Sequence, residues 1–455
     1  MNDNFEHIEQ LIEERKFQAL KPILIELHPA DIASIISKAS EKDMPIIFRL
    51  LPKDVAADTF VELDSEEQEL LIKSFSDKEL KSILDELFLD DTVDMIEEMP
   101  AIVVKRILRH SDPETRKQIN ELLQYPDDSA GSIMTTEFIA LKANLTVNDA
   151  ISYIKNKGAD SETLYICYVV DSGRKLLGCV SLRDILFADR DDIIGKIMDE
   201  NVISVNTLDD IEDVANKFKK YDFEVMPVVD KENRLVGIIT VDDAVDVIVD
   251  EATEDMQIMN ALTPIDDSYL KTPVWKHWSK RIVWLLFLMV PGILTGLVIE
   301  HFEMLFAALP LIVAFIPRLM DAGGNCGAQS STMIIRGIAL DEIAPKDWWR
   351  CILKEIGIAL MVGSTLAVAN VPIIWIMYGS SSPANVVWSL CIAFGLTLII
   401  VVMLAKMLGV VLPILAKIVH VDPALRASPF MTTLVDICSV TVYFLVVQAI
   451  VIPMV

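Results

Sequence analysis

The sequence predicts a multidomain chain with three parts: an all-α superhelical N-terminal domain, an α/β tandem pair, and a polytopic α-helical membrane domain with five spans. Three observations carry this. A loop-and-helix phrase recurs in the first 125 residues, and a longer β/α phrase occurs twice between about 130 and 250. From Arg281 onward, apolar runs of about 20 residues alternate with short loops.

At 455 residues, the chain has room for two to four domains. Its formal net charge of −27 is unevenly spread: residues 271–455 hold 12 Lys/Arg against 9 Asp/Glu, whereas residues 1–270 hold 28 against 58. A region that acidic does not bind nucleic acid by charge, and it repels itself unless cations collect between its parts. Six cysteines, with no CxxC and no Cys/His zinc spacing, read as reduced apolar residues. The opening MNDNFEHIEQLIEERKF has no apolar run of the signal-peptide kind, so the soluble part is expected in the cytoplasm.

In the N-terminal domain (1–126), LHPADIASII at 27–36 returns as LLPKDVAADTF at 50–60 and, degenerately, as LFLDDTVDMI at 87–96. Each places Pro or Asp at a helix start, followed by aliphatic residues at helical spacing, as in stacked helix pairs. The third copy sets Asp90, Asp91 and Asp94 at a helix N-terminus. There they serve as caps and dipole partners, or as cation ligands if another domain faces them.

The second repeat occupies 127–194 and 195–248. SIMTTEFIALKANLTVNDAISYI from Ser132 pairs with KIMDENVISVNTLDDIEDVANKF from Lys196, and each leads into two strands joined by a DSG or DKEN turn. Gly-apolar-x-[Ser/Thr]-x-x-Asp then stands twice, as Gly178 to Asp184 and Gly237 to Asp243. The tandem resembles a pair of CBS domains. That resemblance implies adenine-nucleotide binding, with Ser181, Arg183 and Asp184 at the nucleotide position. Ser181 and Thr240 are equally natural helix N-caps.

The stretch VDDAVDVIVDEATEDMQIM, Val241–Met259, reads as one helix. At 100° per residue, Asp243, Asp246, Asp250 and Glu254 share one stripe, and Val245, Ile248, Val249, Ala252, Met256 and Met259 share the opposite one. Acidic pairs at this spacing repel by a few tenths of a kcal/mol each. The helix has no Lys or Arg to relieve them. Its carboxylates are oxygen ligands of the kind Mg2+ and Ca2+ take. With the linker that follows, it forms an acidic connecting segment, 249–275.

The membrane domain, 276–455, has candidate spans near 282–302, 304–334, 355–378, 385–414 and 429–453. The basic segments around Lys276–Arg281, at 336–354 and at 415–427 fall on one side if the N-terminus is cytoplasmic; the C-terminus then lies outside. Five spans cannot close with internal two-fold symmetry, which points to a dimer. Two stretches are too polar for anchors. In FIPRLMDAGGNCGAQSSTMIIRGIAL, Pro317 and Gly323-Gly324-Asn325 are expected to interrupt the helix and free carbonyls. The small residues Gly327, Ala328, Ser330 and Ser331 also suit close helix packing. In SPFMTTLVDICSVTVYF, Ser428, Thr432 and Asp436 recur at i+4 and form a stripe of oxygens. An intramembrane carboxylate is costly and usually functional, although an ion pair with Lys406 or Arg318 is a competing explanation. Oxygen ligands without His or Cys suit a hydrated hard cation.

The phrases GGNCGAQSSTMIIRGIAL, VDPALRASPFMTTLVD and YDFEVMPVVDKENRLVGIITVDDAVDVIVDEATED resemble the MgtE family of magnesium channels over nearly the whole length. The resemblance implies a homodimer in the plasma or inner membrane. Its pore is lined by the second span, which carries Asn325 and Gln329, and by the fifth, which carries Ser428, Thr432 and the pore aspartate Asp436. It also implies closure by intracellular Mg2+ on sensing carboxylates: Asp91 or its neighbour Asp94, Asp222, Asp243, Asp246, Asp250, Glu251 and Glu254. The alternatives are a CBS-regulated exchanger of divalent cations for H+ or Na+, and a membrane-anchored nucleotide sensor. No P-loop, HExxH, GxSxG or Cys/His nucleophile arrangement argues for an enzyme.

Overall fold

The computed structural model describes residues 2–158, 161–265, 269–270, 272–308, 310–339, 342–380, 382–419 and 423–454, leaving aside the side chains of residues 2–6, 9, 306–308, 423–430 and 454. The expected linker residues 266–268 and 271, and the side chains of Arg426 and Ser428, lie outside that set. Two compact units result, Met1–Val249 and Asp250–Val455.

The first unit opens with ten helices: α1 (Asn2–Glu13), α2 (Phe17–Ile25), α3 (Pro29–Lys38), α4 (Met44–Phe48), α5 (Lys53–Val61), α6 (Ser65–Ser74), α7 (Asp77–Leu84), α8 (Leu89–Glu98), α9 (Ala101–His110) and α10 (Pro113–Leu122). Most start where the sequence places proline or a small polar cap, α2 and α8 excepted. Pro29 and Pro113 sit in first turns, where a missing N–H costs nothing. Ser76 and Glu79 form a reciprocal capping box. Between the helices, Phe48, Phe60 and Phe75 cluster with ring centroids 5.4–6.3 Å apart.

Two β/α repeats follow. The first is β1 (Ala140–Lys142), α11 (Val147–Lys157), β2 (Ile166–Val170), β3 (Leu176–Ser181), α12 (Leu182–Phe187) and α13 (Ile194–Ile197). The second is β4 (Val205–Asn206), α14 (Ile211–Tyr221), β5 (Val225–Val229), β6 (Leu235–Thr240) and α15 (Val241–Met259). In each sheet the first strand pairs parallel to the second, and the second antiparallel to the third. The repeats exchange backbone. Thr135 and Ile238 exchange a pair of 2.9 Å hydrogen bonds, and Cys179 and Asp199 exchange bonds of 2.9 and 2.8 Å. Met198 leans on Gly178 and Met134 on Gly237, so the methionine of one repeat fills the gap left by the glycine of the other. One apolar core runs from Ile8 through the helices to Met134, Phe218, Ile239 and Ala244.

Helix α15 has the bounds the sequence predicts, but its buried face differs from the expected apolar stripe. Ala244, Val247 and Ile258 are buried, whereas Val245, Ile248, Val249 and Met256 are 36–67 % exposed. Ala244 belongs to the shared core, and that contact fixes the helix rotation.

The second unit contains α16 (Val274–His301), α17 (Glu303–Ala308), α18 (Ile316–Ala339), α19 (Trp348–Tyr378), α20 (Ala384–Ile418) and α21 (Pro423–Ile450). Among the described residues, four helices are long and apolar enough to cross a membrane: Val274–His301, Pro345–Tyr378, Ala384–Ile418 and Met431–Ile450. The second of the five expected spans, 304–334, is not one apolar helix. Its interruption is a 3-10 segment at Pro310–Phe315, in which Ile312 and Phe315 are buried and the Tyr443 hydroxyl donates to the Ile312 carbonyl at 2.9 Å. The break expected at Pro317 and Gly323–Asn325 does not occur, and α18 runs through it. Pro317 falls in the first turn, where it is tolerated. The glycines serve packing: a Cβ on Gly323 would lie 2.8 Å from Val435 and 2.9 Å from both Ser439 and Val401.

The swapped packing yields a test. A side chain at Gly178 or Gly237 would put its Cβ 2.6 Å from the Asp199 carbonyl or 2.8 Å from the Thr135 carbonyl. Gly178→Val and Gly237→Val are each expected to cost about 1–3 kcal/mol through overpacking, read as a lowered thermal midpoint of the purified protein.

Candidate functional site

The first site is built on the α8 N-terminus. The Leu89 N–H donates to Glu137 Oε2 at 3.0 Å, so the orphan donors of that turn draw an acidic residue of the first β/α repeat onto the helix. Beside it lies a cleft of about 240 Å³ lined by Asp58, Glu62, Glu86, Asp90, Asp91, Glu162, Asp242 and Asp243, with no Lys or Arg among the lining residues. Burial and mutual repulsion raise Asp90, Asp91, Glu162 and Asp243 together. Asp90 and Asp91 are pushed up to about 7, first by burial and then by neighbouring carboxylates, Asp91 for Asp90 and Asp243 for Asp91. Burial followed by the Asp90 charge pushes Asp243 up to about 7, against the opposing hydrogen bonds from Thr240. Glu162 rises to about 8 from burial and from Asp90 and Asp91. Asp94, open to water on one side, reaches about 8 through enclosure on the other and the charges of Asp243 and Asp90.

Such a cleft calls for positive charge. Glu162 Oε2 is buried without a partner, and Asp90 is only 6 % exposed, so the donor set is all oxygen and partly orphaned, as a hard cation requires. Among the described residues, no three His, Cys, Asp or Glu side chains are gathered as a ready ligand cage. Of the acidic residues singled out from the sequence, the structure brings Asp90, Asp91 and Asp243 into the cleft, with Asp94 close enough to feel Asp243. Asp222 caps α14 in the left-handed conformation (φ 53°) and is exposed, outside the cleft lining. Asp246, Asp250, Glu251 and Glu254 follow along α15; Glu251 is partly buried and the other three are exposed.

The second site lies in the β/α pair. Ser181 caps α12: its hydroxyl accepts the Asp184 N–H at 3.0 Å and donates to Asp184 Oδ2 at 2.6 Å. Thr240 repeats the arrangement, donating to Asp243 Oδ2 at 2.7 Å. Arg183 and Asp184 are exposed beside the first of these pairs. The caps are thus made, and the Ser181–Asp184 pair presents a hydroxyl and a carboxylate at the surface in the arrangement a ribose diol can meet.

The third site is a face of the helical unit. Asp321, Asn325, Gln329, Thr332 and Arg336 succeed one another at i+4 or i+3 along α18, and all are exposed. Asn325 Nδ2 donates to Asp321 Oδ1 at 2.9 Å. Thr432 of α21 lies against Gly324, where a Cβ would meet its methyl group at 3.2 Å, and Asp436 follows one turn later, half-buried. Neither expected counter-charge pairs with Asp436. Lys406 binds Glu355 at 3.2 Å, and Arg318 donates to Met377 Sδ at 3.1 Å.

Sequence reasoning missed Glu162, Glu137, Asp58 and Asp242 at the cleft, and Asp321 and Glu355 in the helical unit. Glu162 sits in NKGADSETL, which reads as an ordinary polar loop, and only the tertiary fold turns it inward. Asp321 could have been found from its i−4 spacing to Asn325.

Comparison with known proteins matches each part of the chain. Residues 316–446 match a family described as divalent cation transporter, residues 27–128 the MgtE intracellular N domain, and residues 130–191 and 194–250 the CBS domain. The chain is 35 % identical over 445 residues to the magnesium transporter MgtE of Thermus thermophilus, covering 97 % of each. It is 30 % identical to that of Bacillus subtilis, over 95 % of this chain and 94 % of the other. A solved cytosolic domain of the Mg2+ channel MgtE in complex with ATP is 37 % identical and superposes with a TM-score of 0.50, over 53 % of this chain and 98 % of that one. The soluble part of a magnesium transporter gives 34 % identity and a TM-score of 0.51, over 55 % and 99 %. With near-complete coverage at this identity, and all three of its regions matched in order, the chain belongs to the MgtE family of magnesium transporters.

Proposed function

We propose that this protein is a homodimeric Mg2+ channel of the plasma or inner membrane that takes up magnesium and closes when intracellular Mg2+ is high. The single observation that carries the permeation half is the outward polar stripe of α18 with Asp436 beside it. Asp321, Asn325 and Gln329 lie on the outer face of a helix packed among apolar spans, where lipid would leave their polar groups unsatisfied. A second copy applied to that face covers the stripe and encloses a water-filled path lined by α18 and α21. In that path Asp436, Thr432 and Ser428, with Asn325 and Gln329 opposite, hold a largely hydrated ion. α18 then counts as the second of five spans, and the C-terminus falls outside. The exposed Val245, Ile248, Val249 and Met256 on α15 supply a further apolar face for the same dimer.

For regulation, the division of the chain is 1–126, 127–248, 249–275 and 276–455. Mg2+ enters the acidic cleft at Asp91, Asp94 and Asp243, with further ions along Asp222, Asp246, Asp250, Glu251 and Glu254. Mg2+ keeps several waters and needs only one or two direct carboxylates, so a cleft of this volume accommodates it hydrated. Bound cations cancel the repulsion and favour the compact, closed form. A coupling of about 1–3 kcal/mol suffices to shift such an equilibrium. Ser181, Arg183 and Asp184 form the adenine-nucleotide subsite, which the similarity to an ATP-bound cytosolic domain supports.

Two tests follow. Asp436→Ala is expected to reduce Mg2+ uptake into proteoliposomes to about a tenth or less, the factor that about 1.4 kcal/mol of lost ion stabilisation produces; undiminished uptake rejects the path. The cleft acids are raised to about 7–8 in the folded protein, so the folded state binds extra protons below that range. Lowering the pH from about 8.5 to about 6 in chelator is therefore expected to stabilise the protein, by about 2–4 °C in midpoint per kcal/mol relieved. Mg2+ substitutes for those protons, so its stabilisation is larger at the higher pH. A midpoint that ignores both Mg2+ and pH rejects the sensing cleft.

A further inference from the structure

Three polar side chains of the helical unit meet at one depth, away from the proposed path. Lys406 of α20 is 4 % exposed, Glu355 of α19 9 % and Ser330 of α18 1 %. Lys406 Nζ donates to Glu355 Oε2 at 3.2 Å and to Ser330 Oγ at 2.9 Å, and Ser330 Oγ donates to Glu355 Oε2 at 2.8 Å, closing a ring across three helices. Burying two opposite charges sacrifices the hydration of both, and apolar residues of the same volume would bind the helices at lower cost. What the ring adds is direction: its hydrogen bonds form only at one rotation of α18.

In the same layer the helix backbones approach closely. A Cβ on Gly409 of α20 would lie 2.6 Å from the Gly327 carbonyl and 3.0 Å from Ser330 Cβ. A Cβ on Gly327 would in turn lie 3.2 Å from the Ala405 carbonyl and in hard contact with Met431 Sδ. α18 is therefore pinned sterically by glycine and angularly by the ring. On its other side, Gln329 and Asn325 belong to the exposed polar stripe.

We propose that Lys406, Glu355 and Ser330 are positioning residues for ion discrimination: they fix the rotation of α18 and so the placement of the oxygens of Asp321, Asn325 and Gln329. The inference rests on the reading that α18 and α21 line the path. Magnitude makes it consequential. Side-chain tips lie about 5–6 Å from a helix axis, so a rotation of about 20° moves them about 2 Å. That is on the order of a whole Mg–O distance, and Mg2+ demands a near-ideal octahedron, whereas Ca2+ accepts irregular shells of 6–8 oxygens. A loosened α18 thus penalises Mg2+ more than Ca2+.

The test uses full-length protein in proteoliposomes, with initial uptake rates for Mg2+ and for Ca2+ and thermal midpoints of the same preparations. Ser330→Ala and the double variant Glu355→Gln/Lys406→Met leave no unpaired buried charge. Each is expected to keep a folded, monodisperse protein while lowering the Mg2+:Ca2+ rate ratio by about fivefold or more, equivalent to about 1 kcal/mol. A lowered midpoint with the parental ratio means the ring only holds the fold, and overturns the inference. Asn325→Ala and Asp436→Ala in the parent separate the two failures. If they alter rate or ratio while the ring variants leave the ratio untouched, only the positioning role falls. If they too leave rate and ratio untouched, the path itself is wrong and the inference falls with it.

Discussion

Carboxylates confined in a space too small to hydrate them all are the constraint on which the rest of the molecule depends. In water, acids of this kind would ionise without cost. In the cleft at the start of α8 and α15, each must share its field with several others, and no lysine or arginine lines the walls. The outcome is a structure whose free energy depends on whether the charge of the cleft is neutralised. The acidity of the first 270 residues thus acquires a location, whereas a net charge read from composition has none.

The two hydroxyl–carboxylate caps show how one local solution serves two purposes. Ser181 and Thr240 both start a helix and hold an Asp three residues on. In the first repeat that Asp is exposed at the surface; in the second it is Asp243, enclosed among other acids. The repeats are alike in backbone and differ in surroundings, so the same motif carries different chemistry in each.

Much of this was legible in the chain. The helical phrases, the paired β/α repeats and the bounds of α15 follow from periodicity, turn residues and caps, which are local properties. What resisted reading was set by contacts distant in sequence. The rotation of α15 is decided by Ala244 joining a core assembled from residues as remote as Ile8. The glycines of α18 signalled a break, yet they serve close packing against Val401, Val435 and Ser439, and the helix yields instead at Pro310–Phe315. Glu162 and Glu355 looked unremarkable because nothing in their own neighbourhoods announces a partner. Asp436, by contrast, was conspicuous by its apolar surroundings alone.

Helix α15 begins on the cap at the end of β6 and continues without interruption for 19 residues, about 28 Å at the usual rise. A hydrogen-bonded rod of that length turns as one body, so what it passes along is an angle. The rotation that Ala244 sets in the first turns therefore also sets where the carboxylates of Asp246, Asp250 and Glu254 face along the rod.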